Sequence, residues 1–308
     1  MTLTDALIAA RIHGPSVITI GTFDGVHLGH RHLLRQVVEH ARARQATAVA
    51  ITFHPRPAEV LHPGIPSQYL CSLEARTRLL REAGIEVVVP VTFSRDLAAM
   101  SALAFVSALV KHAQLAELVG GPDLALGRGR EGTVEVLRDL GAQLGFAVTV
   151  VPVQEDDGEV VRSSMIQRVV AEGNVSRAAE LLGRRYQIEG EVARGDGRGR
   201  TIGVPTANVA VTTSLLVPGN GVYAVYFNSE GGRWPGAANV GTRPTFSGVD
   251  RSVEVHLLDF DGDLYGKHCT VEFVERLRPE RRFAGVAELV EQIHHDVAAT
   301  RQILSTLV

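Results

Sequence analysis

Cysteine is scarce in this chain. Cys71 and Cys269 are the two examples in 308 residues, far apart and without metal-ligand spacing. That excludes a disulfide-stapled secreted scaffold and a thiolate metal site, and points to reduced core thiols in a cytoplasmic protein. Charge of one sign is also missing. Lys and Arg number 31 against 34 Asp and Glu, a net charge of −3, so neither a nucleic-acid nor an anionic-membrane partner is expected. No apolar run approaches the roughly 20 residues that a membrane span needs. The opening Met-Thr-Leu-Thr-Asp-Ala-Leu lacks a basic stretch followed by an apolar core, so no export signal is expected. Internal repeats and low-complexity segments are absent. What remains is 45% hydrophobic and 21% charged, an ordinary globular composition with length enough for two cores.

Up to about residue 153, strand-like and helix-like segments alternate. The strand-like runs are 17–20, 48–53, 86–93, 118–120 and 148–153, and the helical stretches are 32–44, 72–83, 102–112 and 134–144. Strands apolar throughout, alternating with helices, predict a parallel sheet covered on both faces. Near residue 184 the pattern changes. After one helical stretch over 165–182 come strand-like runs at 186–193, 208–211, 222–227, 253–260 and 269–277, separated by turn signals such as Pro218-Gly219-Asn220-Gly221 and Asp261-Gly262-Asp263. These predict an antiparallel barrel or sandwich. A final helix over 286–304 carries Val286, Leu289, Val290, Ile293 and Val297 on one stripe. The boundary is placed at 183–185.

The densest chemistry sits in Gly21-Thr22-Phe23-Asp24-Gly25-Val26-His27-Leu28-Gly29-His30. It joins the first strand to the first long amphipathic helix. At such a junction main-chain N–H groups and the positive end of the helix dipole await an anion. His27 and His30 can donate to phosphate oxygens, Gly25 and Gly29 allow close approach, and Asp24 can fix the turn. A nucleotidyl transfer needs this kind of positive, donor-rich site rather than a protein nucleophile. The bland reading is a glycine turn with two incidental histidines.

A second constellation is the glycine- and arginine-rich loop 190–204, which ends in Pro205-Thr206-Ala207-Asn208. Gly195, Gly197 and Gly203 let the backbone wrap a polyphosphate while Arg200 and its neighbours neutralise charge. Thr206 and Asn208, two apart on one strand face, can ligate Mg²⁺ together with phosphate oxygens. The competing reading is a solvated basic hairpin. Further on, Glu254, His256 and Leu258 share one face of a strand whose other face is Val253, Val255 and Leu257. Glu254 is open to two readings, a solvated rim residue or a general base.

The first string closely resembles the signature of the bacterial bifunctional riboflavin kinase/FAD synthetases, within the wider class of His-x-Gly-His adenylyltransferases. Thr52-Phe53-His54-Pro55-Arg56-Pro57 resembles that family's second nucleotide-site strand end. Gly120-Gly121-Pro122-Asp123-Leu124-Ala125-Leu126-Gly127 resembles its Gly-x-Asp-Phe-x-Phe-Gly loop, with Leu124 and Leu126 where aromatics are usual. Arg162-Ser163-Ser164-Met165-Ile166-Gln167 falls where the family reads Ser-Ser-Thr and then Arg, so Gln167 replaces the expected arginine; read alone, Ser163-Ser164 is a helix N-cap. The 190–208 string is similar to the riboflavin kinase signature. The likeness continues through Gly221–Val225, Asn239-Val240-Gly241-Thr242-Arg243-Pro244-Thr245 and the strand holding Glu254.

The resemblance implies a Rossmann-like parallel α/β nucleotidyltransferase domain over 1–183 and an antiparallel β-barrel kinase domain with a terminal helix over 184–308. It implies ATP contacts from Gly21, Phe23, Asp24, Gly25, His27, Gly29, His30, Asp123, Ser163 and Ser164 in the first domain. In the second it implies ATP contacts from Gly195, Gly197, Arg200, Gly203, Pro205, Thr206 and Asn208, with Thr206 and Asn208 also on Mg²⁺. Glu254 becomes the base, and Asn239, Arg243, Arg278 and Phe283 the flavin contacts. Riboflavin, FMN, FAD and ATP are the implied small-molecule partners, and a homo-oligomer is left open. Two alternatives stand beside this: a riboflavin kinase with a weakened or inactive adenylyltransferase, suggested by Gln167, and a flavin-binding carrier or sensor that performs no chemistry.

Overall fold

The computed structural model describes residues 2–64, 68–156, 158–195, 199, 202–245 and 248–306, and for 243–245 and 248–250 the backbone alone. The chain forms two compact units, Met1–Ser67 with Leu73–Arg162, and Gln68–Ser72 with Ser163–Val308.

The first unit contains α1 (Leu3–Ala9), β1 (Ser16–Gly21), α2 (Leu28–Ala43), β2 (Thr47–Phe53), α3 (Pro57–Leu61), α4 (Leu73–Glu82), β3 (Val87–Val91), α5 (Arg95–Ala99), α6 (Ala102–Ala113), β4 (Leu115–Gly120), α7 (Val134–Leu144), β5 (Ala147–Val150) and a two-residue ribbon, β6 (Glu155–Asp156) and β7 (Glu159–Val160). The five main strands are parallel in the order β3-β2-β1-β4-β5. The order reverses between β1 and β4, the switch point beyond whose carboxyl end such sheets bind ligands. Leu7, Phe105, Val106 and Leu109 belong to the core built on Ile18, Val49, Ile51 and Leu118. The apolar stripe of α2 buries Leu34, Val37 and Ala41. The C-terminal half of α2 is tied to the sheet through Glu117 of β4, which is fully buried and accepts from Arg44 Nε at 2.5 Å and Thr149 Oγ1 at 2.6 Å, with His40 Nδ1 at 2.9 Å.

The second unit contains α8 (Ser163–Ala171), α9 (Val175–Leu182), β8 (Tyr186–Ala193), β9 (Ala207–Val211), β10 (Gly221–Ser229), β11 (Gly232–Thr245), β12 (Gly248–Leu257), β13 (His268–Arg278) and α10 (Val286–Ser305). The strands close into a barrel, β10-β11-β12-β9-β8-β13, which settles barrel against sandwich. Tyr186, Tyr223, Phe227 and Phe273 are fully buried in it.

The single helix expected over 165–182 is two. Gly173, at φ +82°, turns the chain between them, and a Cβ there would lie 2.6 Å from the Tyr223 hydroxyl. Both helices pack with the barrel unit, α9 against β8 and β13. The strand expected to reach residue 260 ends at Leu257, and Asp259 follows at φ +56°. The 14-residue β11 was not anticipated, because Pro235, Gly236, Gly241 and Pro244 interrupt its apolar pattern.

Candidate active sites

In the first unit β1 ends at Gly21, and α2 starts seven residues later. The turn between them needs unusual backbone: Phe23, Gly25 and Val26 have φ of 50°, 77° and 40°. Positive φ is a genuine outlier for a β-branched residue, at a cost of order 1–3 kcal/mol. The strain places His27 at the N-cap of α2, where its Nδ1 accepts from the His30 N–H at 3.3 Å. The two imidazoles stack with centroids 3.6 Å apart, and Phe23 meets His30 edge-on at 5.2 Å. Glycine at 29 lets this happen: a Cβ would lie 3.2 Å from Val161 O and 3.3 Å from the His27 ring. Burial first, then His27 and Arg76, hold the His30 pKa well below its ordinary value, so its ring is neutral at pH 7.

Asp24 is buried beneath the turn with two arginines. Arg56 Nη1 stands 3.7 Å and Arg76 Nη2 4.0 Å from its carboxylate oxygens. Arg76 is fully buried and also donates to Phe53 O at 3.1 Å. Glu59 Oε1 also stands 3.3 Å from Arg56 Nε, so the two guanidiniums face two carboxylates. Arg76 was missed from the sequence. Its signal was a charge on the apolar stripe of α4, beside Ala75, Leu79 and Leu80, all buried. Asp123 lies exposed in the loop after β4, its carbonyl accepting from Arg130 Nη2 at 2.7 Å. Ser163 and Ser164 form the first turn of α8 rather than preceding it. Gln167 Nε2 donates to Gln68 O at 3.0 Å.

In the second unit, register does the assembling. Glu254 of β12 pairs with Asn208 of β9 on one side and Asn239 of β11 on the other. Directly opposed residues of antiparallel strands share a face, so the three form one row across three strands. Val209, Val253, Val255 and Val240 fill the other face and are buried. A cavity of about 350 Å³ is lined by Thr206, Asn239, Glu254, Arg278 and Phe283 among others, five of the residues named from sequence. A second, about 660 Å³, is lined by Arg194, Pro205, Thr206, Phe260 and Tyr265 among others. Thr206 lines both.

The glycine loop closes against these side chains. A Cβ on Gly195 would lie 2.3 Å from Asn208 Nδ2, and one on Gly199 2.3 Å from Val204 O. Gly203 sits in the left-handed region at φ +78°. Gly197 and Arg200 lie outside the described residues, as does the side chain of Arg243, whose backbone pairs with Asp250. Arg278 turns to α10: its Nε and Nη2 reach the buried carboxylate of Asp296 at 3.0 and 2.8 Å. The Phe283 ring lies 4.6 Å from the Arg281 guanidinium and 5.6 Å from that of Arg278. Asp296 and Arg281 line the smaller cavity and were not singled out from sequence. Among the described residues no three His, Cys, Asp or Glu side chains cluster to hold a metal. The neutral oxygens of Thr206 and Asn208 fit Mg²⁺ shared with phosphate and water, as that ion prefers.

The family model described as FAD synthetase matches residues 9–165, and that described as riboflavin kinase matches 182–304. The bifunctional riboflavin kinase/FMN adenylyltransferase of Escherichia coli K12 is 40% identical over 288 residues, 93% of this chain and 92% of its own length. Its Bacillus subtilis counterpart is 36% identical over 297 residues, 95% and 93% of the two chains. A solved Streptococcus pneumoniae chain, described as a macrolide-efflux protein, is similar with a TM-score of 0.88 and 32% identity, covering 94% of this chain and 96% of that one.

Proposed function

The chain belongs to the family of bifunctional riboflavin kinase/FMN adenylyltransferases, and from that premise we propose how its residues divide two reactions. The enzyme phosphorylates riboflavin to FMN with ATP, then adenylylates FMN to FAD with release of pyrophosphate. We assign the second reaction to the α/β unit and the first to the barrel unit, with which the helices over 163–182, expected in the first domain, belong.

In the kinase, the smaller cavity takes the flavin and the larger one ATP, with Thr206 in the wall between them. Glu254 accepts the proton of the riboflavin 5′-hydroxyl as that oxygen attacks the γ-phosphorus and ADP leaves. Thr206 and Asn208 hold Mg²⁺, which when bound neutralises charge on the ATP phosphates. The loop through Gly195 brings backbone against Asn208, where polyphosphate would lie. Phe283, with Arg278 and Arg281 beside it, covers the ring system. The observation that carries this reading is the pairing of Glu254 with Asn208 in one cross-strand step.

In the adenylyltransferase, an FMN phosphate oxygen attacks the α-phosphorus of a second ATP and pyrophosphate departs. The attacking group is already an anion, so no base is required. His27, His30 and the start of α2 stabilise the charge that accumulates, supported by Arg56 and Arg76. We place the enzyme in the cytoplasm, where its two buried free cysteines stay reduced. Among the described residues no helix is long and apolar enough to cross a membrane.

The test is a time course with riboflavin, ATP and Mg²⁺, flavins separated by chromatography. FMN is expected first and FAD after it. FMN without any FAD would sink the adenylyltransferase assignment, and unchanged riboflavin would sink both.

A further inference from the structure

β9 and β12 stop pairing at Ala207↔Val255. Preceding Ala207 on the β9 side are Thr206 and Pro205, and proline has no N–H with which to continue a ladder. A side chain takes over there. His256 Nδ1 lies 2.8 Å from Pro205 O. A carbonyl oxygen only accepts, so Nδ1 carries the proton and donates. From the other flank, the Val204 N–H donates to Gly199 O at 2.8 Å. The Val204–Thr206 segment is thus held from both sides, once by its own loop and once by β12.

The location gives this bond its meaning. Pro205 lines the larger cavity, His256 the smaller, and Thr206 both. The hydrogen bond therefore crosses the wall between the two substrate cavities. His256 is also two residues along the same strand face from Glu254, and its partner across β11 is Ala237, whose small side chain leaves the imidazole room.

We propose that His256 is a positioning residue for phosphoryl transfer, its Nδ1–H clasping Pro205 so that the Thr206 hydroxyl stays in register with Glu254. The proposal rests on the kinase reading above. Transfer between bound substrates depends on placement, and a misplacement of about 1 Å can cost on the order of 100-fold in rate. Loss of one hydrogen bond that fixes placement corresponds to about tenfold.

The experiment compares full-length wild type, His256→Ala and His256→Asn. An asparagine amide N–H can reach the same carbonyl. Kinase kcat and KM, riboflavin affinity by fluorescence quenching, Mg-ADP binding by calorimetry, and FAD formation from added FMN are measured on each. His256→Ala is expected to lower kcat about tenfold and to weaken Mg-ADP binding severalfold. Its riboflavin affinity should stay within about twofold, and FAD formation from FMN should be unchanged. His256→Asn should recover most of both losses with the pH profile of wild type. The proposal is overturned if His256→Ala keeps wild-type kcat and Mg-ADP binding, if His256→Asn is as impaired as His256→Ala, or if flavin affinity falls as far as kcat. A displaced pH profile in His256→Asn would make the histidine an acid or base and likewise overturn it. Should wild type form no FMN, the kinase reading fails, and the Mg-ADP arm still decides the clasp.

Discussion

Glu254 on β12 stands directly opposite Asn208 on β9, which puts the Cβ atoms of the proposed base and the proposed metal ligand about 5 Å apart. Glu254→Gln keeps the shape and removes the proton acceptor. Riboflavin phosphorylation should fall at least about 100-fold, while riboflavin binding and FAD formation from added FMN persist. A variant that still phosphorylates at wild-type rate would return Glu254 to the cavity rim. One that loses flavin binding along with turnover would mean that it shapes the pocket.

His30→Asn should do the reverse. It removes the imidazole stacked on His27 and reached by Phe23, and FAD formation from FMN should drop about 100-fold. FMN formation from riboflavin should continue unchanged. Equal loss of both activities would show a damaged fold rather than a lost phosphate contact.

Gly195→Ala tests the approach of the glycine loop. The new methyl would lie 2.3 Å from Asn208 Nδ2, so either the loop or the amide must move. Kinase KM for Mg-ATP should rise about tenfold, corresponding to one disturbed contact, with riboflavin affinity little changed. Steady-state kinetics at varied ATP would reveal a loop that tolerates the methyl.

Asp296→Asn weakens the tie between Arg278 and α10. The carboxylate is buried and the guanidinium largely so, and removing its charge should cost about 2 kcal/mol in thermal or denaturant unfolding. Riboflavin KM should rise severalfold because Arg278 and Phe283 line one cavity. Retained stability and retained KM together would mean that the pair is idle.

Glu117 sets an acid limit on the first unit. Burial pushes its carboxyl up, but hydrogen bonds from Thr149, His40 and Arg44 more than offset that, so its pKa falls below the ordinary 4.5. A depressed carboxylate stabilises fully above its unfolded value, and that stabilisation is lost as pH falls through the lower folded value. Glu117→Gln should therefore lower stability by about 2 kcal/mol at pH 7 and flatten the acid side of the stability curve below pH 4.5. A curve parallel to wild type across that window would refute the linkage.

The halves of the fold were legible in different degrees. Periodicity alone located β1, β2, α6 and α7, because parallel strands buried on both faces and amphipathic helices carry strong apolar patterns. It passed over β11, where glycine and proline interrupt the apolar pattern, and it ran α8 and α9 together across Gly173. Short motifs singled out the two histidines, Thr206 and Asn208, whose residue types are concentrated in a few adjacent positions, whereas Glu254 was left between rim and base until the family resemblance was considered. Arg76, His256 and Asp296 escaped because each acts through a partner distant in sequence: Asp24, Pro205 and Arg278. What brings them to the proposed sites is register and packing, which no local spacing encodes.

The segment Gln68–Ser72 belongs to the barrel unit although its neighbours in sequence belong to the other. Tyr69 exchanges main-chain hydrogen bonds with Ser214 and Leu216 at 2.7 and 2.9 Å, and Ser72 Oγ donates to Glu189 at 3.1 Å. The polypeptide thus visits one body partway through building the other. No single cut yields both intact: a fragment beginning at Ser163 or later comes away without five of its own residues, and the complementary fragment carries them as a dangling insert. Genetic dissection of the two activities is better pursued with point substitutions than with truncation.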